Sequence, residues 1–163
     1  MNVRISGLGI IGFFTSLALL LTAPASFAHS GKYAGWERGG KYDQLYDASE
    51  LDSFKGRVVD VVEIIPFPGM APGVGLIVED KNDRQKETVH LGPKGFVNLD
   101  SIGLRVGDMV KVRGVWAEID GNDVVLANKV KKEQDQIKVR RTKDGYPYWE
   151  MSPEDVKKEL GEE

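Results

Sequence analysis

The segment FKGRVVDVVEII, residues 54–65, is the most strand-like part of the sequence, since half of its residues are valine or isoleucine. Such β-branched residues favour an extended chain. Its apolar residues do not keep to one face, because they fall first on Phe54, Gly56 and Val58, then on Val59 and Val61, and finally on Val62 and Ile64. A strand whose apolar side changes has to bend, as strands do at the β-bulges of small barrels. The segment therefore predicts a long, bent first strand with its polar residues outside.

Residues 74–91 predict a β-hairpin. Apolar residues alternate with others on both sides of a polar turn, and a two-residue loop at residues 82–83 aligns the two apolar faces. This register pairs Leu76 with Val89, Val74 with Leu91, Glu79 with Lys86, and Gly75 with His90. His90 then lies on the outer, solvent-facing side of the hairpin.

The next segments complete a recognisable order of elements. Phe96, Leu99 and Ile102 recur at every third position, which predicts a short helix. A fourth strand begins after Gly107 and carries Trp116 on its core side, and Asp120-Gly121 predicts the turn into a fifth strand over residues 123–130. The sequence therefore predicts an all-β domain over residues 54–135. Its architecture is a five-stranded oligonucleotide/oligosaccharide-binding (OB) fold barrel with a short helix between strands 3 and 4.

Residues 136–163 predict an extension of this barrel. Ile137 and Val139 indicate a sixth strand, and a short C-terminal helix begins where Ser152 can act as its N-cap and Pro153 fits its first turn. Seven basic residues lie between positions 129 and 143. They form a basic ribbon in a chain whose formal net charge is −3.

Residues 1–28 have the pattern of a secretory signal peptide. A single basic residue, Arg4, precedes an apolar run, and small residues lead to a cleavage site after Ala28. This pattern predicts a periplasmic or secreted protein. The alternative is a retained membrane anchor, because the apolar run is almost long enough to span a bilayer.

Residues 29–53 show no helical or strand period and predict a flexible N-terminal arm. Four aromatic residues are spaced along it: Tyr33, Trp36, Tyr42 and Tyr46. They either pack on the barrel or serve a partner, and the sequence leaves both alternatives open.

The composition restricts the chemistry. The chain has no cysteine, which excludes disulfides, thiolate metal sites and covalently attached haem. It has two histidines and no recognisable set of nucleophile, base and acid, so we do not expect an enzyme.

Several short motifs resemble those of small exported bacterial OB-fold proteins. The matching segments are GRV (56–58), GM (69–70), PGV (72–74), VHLGP (89–93), GD (107–108) and DGYPYW (144–149). The resemblance implies the fold and the export, and it implies no activity. Such relatives often carry a histidine at the position of Gly75, next to His90, so any metal pair formed there would be half lost in this chain.

The sequence favours a non-catalytic binding or assembly module of the cell envelope that acts through protein–protein contacts. Three candidate contact surfaces are the arm, the proline- and glycine-rich loop, and the basic ribbon with the aromatic residues that follow it. The candidate residues are Trp36, Tyr42, Met70, Lys138, Arg140, Arg141, Tyr148 and Trp149. A basic ribbon on an acidic chain favours an acidic partner or self-association.

Two alternative functions remain at this stage. Cleavage after Ala28 would make His29 the first residue, so its α-amine and imidazole could bind copper together with His90. The basic ribbon, residues 129–143, could instead bind single-stranded nucleic acid with nearby aromatic residues stacking on the bases. The acidic net charge and the exported location argue against nucleic acid.

Overall fold

The computed structural model describes residues 31–161. The predicted signal peptide, its cleavage site and His29 lie outside this range. The strands are β1 (Asp52–Ile64), β2 (Gly73–Asp80), β3 (Lys86–Pro93), β4 (Met109–Ile119), β5 (Asn122–Lys132) and β6 (Asp135–Lys138). One α-helix, α1 (Pro153–Leu160), and several short 3₁₀ helices complete the described chain.

The strands form one sheet in the order β3-β2-β1-β4-β5-β6. A parallel pairing of β3 with β5 joins the ends of the first five strands into a closed ring, which β6 extends beyond β5. This is the strand connectivity of the predicted OB-type fold, and the all-β class is confirmed. The short helix expected between strands 3 and 4 is the 3₁₀ helix Leu99–Ile102, capped by Asn98 at its start and followed by Gly103 in the left-handed conformation.

The predicted bend in β1 is present as a single register shift. Val58 pairs with Val78 and Asp60 pairs with Ile77, so Val59 is the extra residue of a β-bulge. The middle pair of the three apolar sets expected from the sequence is wrong, since Val61 is 40% exposed, whereas Val62 and Ile64 of the last set pack on the core. This single bulge accompanies a change of partner along β1, which pairs with β4 over residues 52–57 and with β2 over residues 56–64.

The β2–β3 hairpin has the predicted register over most of its length. Leu76 pairs with Val89, Glu79 with Lys86 and Gly75 with His90. Val74 pairs with Gly92 instead of Leu91, because the register shifts between Val74 and Gly75. The expected two-residue loop is also wrong: the Asp80 amide donates to Gln85 O, which leaves four loop residues, and Arg84 takes a positive φ of 66°.

Trp116 was expected in the core and is 40% exposed. It lies in β4 beyond Gly114, and β1 begins with Asp52 opposite Gly114. No residue of β1 therefore pairs alongside Trp116, whose ring lies 6.0 Å from that of Phe54, measured between centroids.

The core of the ring consists of inward-facing aliphatic residues from all five strands. Val58, Leu76, Val89, Val112 and Leu126 are each completely buried. Burial of Val89 and Leu91 confirms the predicted inner face of the hairpin. Removing these aliphatic side chains from water is the main stabilisation of the ring.

A second layer of aromatic residues covers the outside of the ring. Trp36 and Tyr42 come from the N-terminal segment and Trp149 from the C-terminal segment, with ring centroids 4.6 Å apart for Trp36 and Tyr42 and 5.9 Å apart for Trp36 and Trp149. Glycines make room for both indoles, because a Cβ on Gly73 would lie 2.3 Å from Trp36 and one on Gly92 would lie 2.9 Å from Trp149. Of the two alternatives for the arm, the structure shows packing on the barrel.

The helix α1 begins as predicted, with the Ser152 hydroxyl accepting a hydrogen bond from the Asp155 amide and Pro153 in the first turn. None of the helices within residues 31–161 has the length and apolar character needed to span a bilayer.

Candidate functional site

Four neighbouring strands carry a regular group of cations on the outer face of the sheet. In one row across the strands, Ser53 lies opposite Arg113, Arg113 opposite Lys129, and Lys129 opposite Lys138. In the next row, Lys55 lies opposite Lys111, Lys111 opposite Lys131, and Lys131 opposite Gln136. We call these eight positions the cationic array. Six of them are basic, and none is acidic.

These side chains point away from the core because of the pleat of the strands. The row between the two cationic rows consists of Phe54, Val112, Val130 and Ile137, which pair with one another across the same four strands. Val112, Val130 and Ile137 are buried, and Phe54 is half-buried against the core. Because successive side chains alternate between the faces of a strand, the residues on either side of this apolar row face the solvent.

The array places like charges directly opposite one another in four pairs: Lys55 with Lys111, Lys111 with Lys131, Arg113 with Lys129, and Lys129 with Lys138. Such pairs are unfavourable in a sheet. Among the residues that the structure describes, none of the six cations forms an ion pair. The pKa of Lys129 is lowered, first by partial burial and then by the surrounding cations Arg113, Lys138, Lys111 and Lys131. The array therefore has an excess of positive charge that an anionic partner would relieve.

Two depressions indent the array and share Lys111 and Lys131. The larger, with a volume of about 420 Å³, is lined by Leu51, Asp52, Ser53, Lys111, Arg113, Lys129 and Lys131. The smaller, of about 310 Å³, is lined by Lys55, Met109, Val110, Lys111, Lys131 and Glu133. Met109 is 44% exposed, so the smaller depression has an apolar side.

Only part of the basic ribbon predicted at residues 129–143 belongs to the array. Its members in the array are Lys129, Lys131 and Lys138. Lys132 instead forms an ion pair with Asp108 at 2.8 Å. Arg141 pairs with Asp144 at 2.6 Å and with Glu159 at 3.1 Å. These neutralised residues are not available as a continuous basic surface, which corrects the expectation for the ribbon as a whole.

Arg140 is a structural residue, although the sequence pointed to a contact surface. Its side chain is 2% exposed and forms an ion pair with Asp43 of the N-terminal segment. It also donates to Gly145 O at 2.9 Å and lies over the rings of Tyr46 and Trp149. Arg140 thus links the N-terminal segment to the C-terminal segment through its contacts with Asp43 and Gly145.

The aromatic and methionine candidates are also buried. Trp36 is completely buried, Tyr42 is 2% exposed, and Met70 packs against Gly35. Tyr148 and Trp149 are buried as well, and the indole of Trp149 donates to Trp36 O at 2.7 Å. Their use as an exposed contact surface has to be revised, because each already has an intramolecular partner in the outer layer.

His90 lies on the outer face of β3 as predicted, but it is not solvent-exposed. Tyr42 covers it, with the rings nearly parallel and the hydroxyl 3.4 Å from His90 Nδ1. Burial lowers the pKa of His90 to about 4, so the imidazole is neutral near pH 7. Within the described range, no group of three or more histidine, cysteine or acidic residues could hold a metal. His29 lies outside that range, and the copper hypothesis stays a prediction.

A further surface cavity, about 550 Å³ in volume, lies between α1 and the segment that precedes it. Arg141, Glu159, Ser152 and Asp155 line it, and these residues already bind one another in pairs. This cavity therefore offers a partner less uncompensated charge than the smaller depressions of the array.

Lys55, Lys111 and Arg113 belong to the array but were not among the contact residues predicted from the sequence. The signal was present as a repeated pattern, because KGR, KVR and KVK at positions 55–57, 111–113 and 129–131 each place basic residues at alternate positions of a strand. The pattern becomes a site only when β1 and β4 are known to be neighbours of β5. That adjacency depends on long-range pairing, which no local motif specifies.

Residues 50–137 match the MamS/MamX magnetosome protein family. The match spans more than half of the 163-residue chain, so the chain belongs to this family. It includes the VHLGP segment and the whole array except Lys138, and it ends before the DGYPYW segment. A search of curated proteins finds no match.

Proposed function

We propose that this member of the MamS/MamX magnetosome protein family is a non-catalytic binding or assembly module that recognises an acidic protein partner through the cationic array. The observation that carries the proposal is the alignment, on four adjacent strands of one sheet face, of six cations that form no ion pair with any residue in the range 31–161. Family membership supports an accessory role in the magnetosome. Charge complementarity supports the choice of an acidic partner.

The array is accessible to a partner. Lys55, Lys111 and Lys131 are exposed, and Arg113, Lys129 and Lys138 are partly exposed. Cations that lie opposite one another destabilise the isolated sheet, whereas an acidic residue opposite each cation would have stabilised it. A binding role accounts for cations at these positions, because a partner that supplies negative charge relieves their repulsion.

Nucleic acid is less well supported as the partner. Single-stranded nucleic acid is held by exposed aromatic rings as well as by cations. Tyr148 and Trp149, the aromatic residues expected to stack on bases, are buried in the outer layer. The array itself contains no aromatic residue.

We further propose that the protein acts after export, with cleavage following Ala28. The support is the signal-like pattern of residues 1–28. Intact mass of the exported protein tests this step, since a retained leader gives a mass larger by 28 residues.

Capture of partners from an envelope extract tests the binding role. The bait is the chain from residue 29 onward, compared with an array variant in which Lys111, Arg113, Lys129 and Lys131 are changed to glutamine. The matched control changes four exposed lysines outside the array, Lys81, Lys86, Lys157 and Lys158, to glutamine. We expect wild type and control to retain the same acidic protein, and 0.5 M salt to release it.

The control removes the same number of charges, so a loss confined to the array variant locates the contact. Retention of the same proteins by the array variant would reject the proposed surface. If the retained protein is a second copy of this chain, the array serves self-association.

A further inference from the structure

The larger depression of the array has a geometry that suits a single multivalent anion. Lys111 and Arg113 alternate on β4, and they lie opposite Lys131 and Lys129 on β5. Opposite side chains in a sheet begin about 5 Å apart, and alternate residues of one strand about 7 Å apart. Four cations therefore start from the corners of one small rectangle of the sheet, and their long side chains can reach a common anion.

The same depression offers groups that distinguish anions. Arg113 provides a planar guanidinium, whose forked donors match two oxygens of a phosphate or carboxylate. Ser53, which lies opposite Arg113, adds a hydroxyl to the lining. Asp52 stands in the lining too, and its Oδ1 accepts a hydrogen bond from the Ser53 amide. Four cations and one carboxylate leave an excess of three positive charges, which a dianion matches better than a single carboxylate does.

We propose that the depression lined by Ser53, Lys111, Arg113, Lys129 and Lys131 is a binding site for a phosphate-class dianion. The site rests on the proposed function in one respect, namely that the array is a binding surface. Its volume of about 420 Å³ exceeds that of a phosphate group, so it has room for the remainder of a phosphate-bearing molecule. A free phosphate compound and a phosphomonoester lipid headgroup present the same chemistry, and both would fit this description.

The adjoining depression extends the site on one side. It shares Lys111 and Lys131 with the larger one and adds the exposed side chain of Met109. A phosphate-bearing ligand would therefore find an apolar surface next to its anionic group. Occupancy of the larger depression would also place negative charge where an acidic protein partner binds, so phosphate would compete with that partner.

Two binding assays separate the sources of phosphate. In the first, inorganic phosphate is titrated into the protein by calorimetry and by thermal unfolding, with chloride at equal ionic strength as the reference. In the second, the protein is sedimented with phosphatidylcholine vesicles that contain phosphatidic acid or, for comparison, phosphatidylserine. The site variant is Arg113→Gln with Lys129→Gln, and the matched control is Lys86→Gln with Lys157→Gln.

We expect saturable binding of inorganic phosphate or of phosphatidic acid vesicles, with an affinity at least tenfold lower in the site variant than in the control. The probe that binds identifies the source. The proposal is overturned if neither probe binds beyond its reference, or if the site variant and the control bind alike. Capture of an acidic protein without phosphate binding would overturn this inference alone. Phosphate binding without protein capture would overturn only the proposed partner.

Discussion

Lys111 lies directly opposite Lys131 in the antiparallel pairing of β4 with β5. Two ammonium groups in this relationship repel each other, and Lys55 lies on the other side of Lys111. The arrangement has a measurable consequence for both stability and binding.

Lys111→Glu should make the protein more stable and a poorer binder. The glutamate would lie between two lysines, replacing two repulsive pairs by attractive ones, with a gain of about 0.2–1 kcal/mol in the free energy of unfolding. Urea unfolding at low ionic strength measures this gain, and 0.5 M salt should reduce it. A decrease in stability at low salt would show that the lysines do not repel one another in solution.

The protein should lose stability as the pH falls from about 6.5 towards 4. Burial lowers the pKa of His90 to about 4 in the folded state. The unfolded chain binds this proton already below about pH 6.5, so protons favour unfolding throughout that window. The loss should reach about 3 kcal/mol at its lower end, at about 1.4 kcal/mol per pH unit.

Urea unfolding of wild type and His90→Gln across this range checks the assignment. The variant should show a much flatter pH dependence between 4 and 6.5, whatever its absolute stability. Asp144, whose pKa is lowered to about 2 mainly by its hydrogen bond from Arg141, loses its contribution only at more acidic pH. Glu87, whose pKa is raised by burial, acts in the opposite direction. An unchanged slope in the variant would mean that His90 is solvated.

Asp43→Ala should destabilise the protein by about 3 kcal/mol. The substitution leaves Arg140, which is 2% exposed, without its ion-pair partner, and an uncompensated buried charge is costly. The effect should be largest in the N-terminal segment, where amide hydrogen exchange near Trp36 and Tyr42 would accelerate. Asp60→Ala is the control, because Asp60 is exposed and forms no ion pair with a described residue. Equal effects of the two substitutions on stability would contradict a stabilising role for the ion pair between Asp43 and Arg140.

Gly73→Ala should displace Trp36 from the outer layer. The added methyl group would lie 2.3 Å from the indole, so the indole or the strand has to move, at a cost of about 1–3 kcal/mol. Gly31→Ala is the matched control, since a Cβ there meets nothing within 4 Å. Tryptophan fluorescence and thermal unfolding distinguish the two. A Gly73 variant with the wild-type emission spectrum and melting temperature would contradict the tight packing of Trp36.

The ring and its hairpin register could be predicted because alternation and turn chemistry are local signals. The pairing of Gly75 with His90 followed from the apolar residues on either side of one polar turn. The exposure of His90 could not be predicted in this way, because Tyr42 covers it from a segment that lies 48 positions away in the sequence. Trp116 fits the alternation of β4, and only the start of β1 opposite Gly114 explains its exposure.

The candidate site, too, could be predicted only where local sequence was sufficient. Lys129, Lys131 and Lys138 are recognisable as part of a basic ribbon, but Arg140 lies in that ribbon too and is buried on Asp43. Local composition cannot separate a solvated cation from a buried one. The contribution of β1 and β4 to the array depends on which strands are neighbours, and the closed ring determines that order.

Mapping an acidic polypeptide onto the folded protein by NMR tests the role of the cationic array most directly. Poly-L-glutamate is titrated into ¹⁵N-labelled protein at low ionic strength, and amide shifts are followed for every strand. We expect the largest shifts to cluster on Ser53, Lys55, Lys111, Arg113, Lys129, Lys131 and Lys138. They should disappear when Lys111, Arg113, Lys129 and Lys131 are changed to glutamine. Shifts that cluster around the groove formed by Ile65, His90 and Asn122, or that persist in this variant, would contradict it.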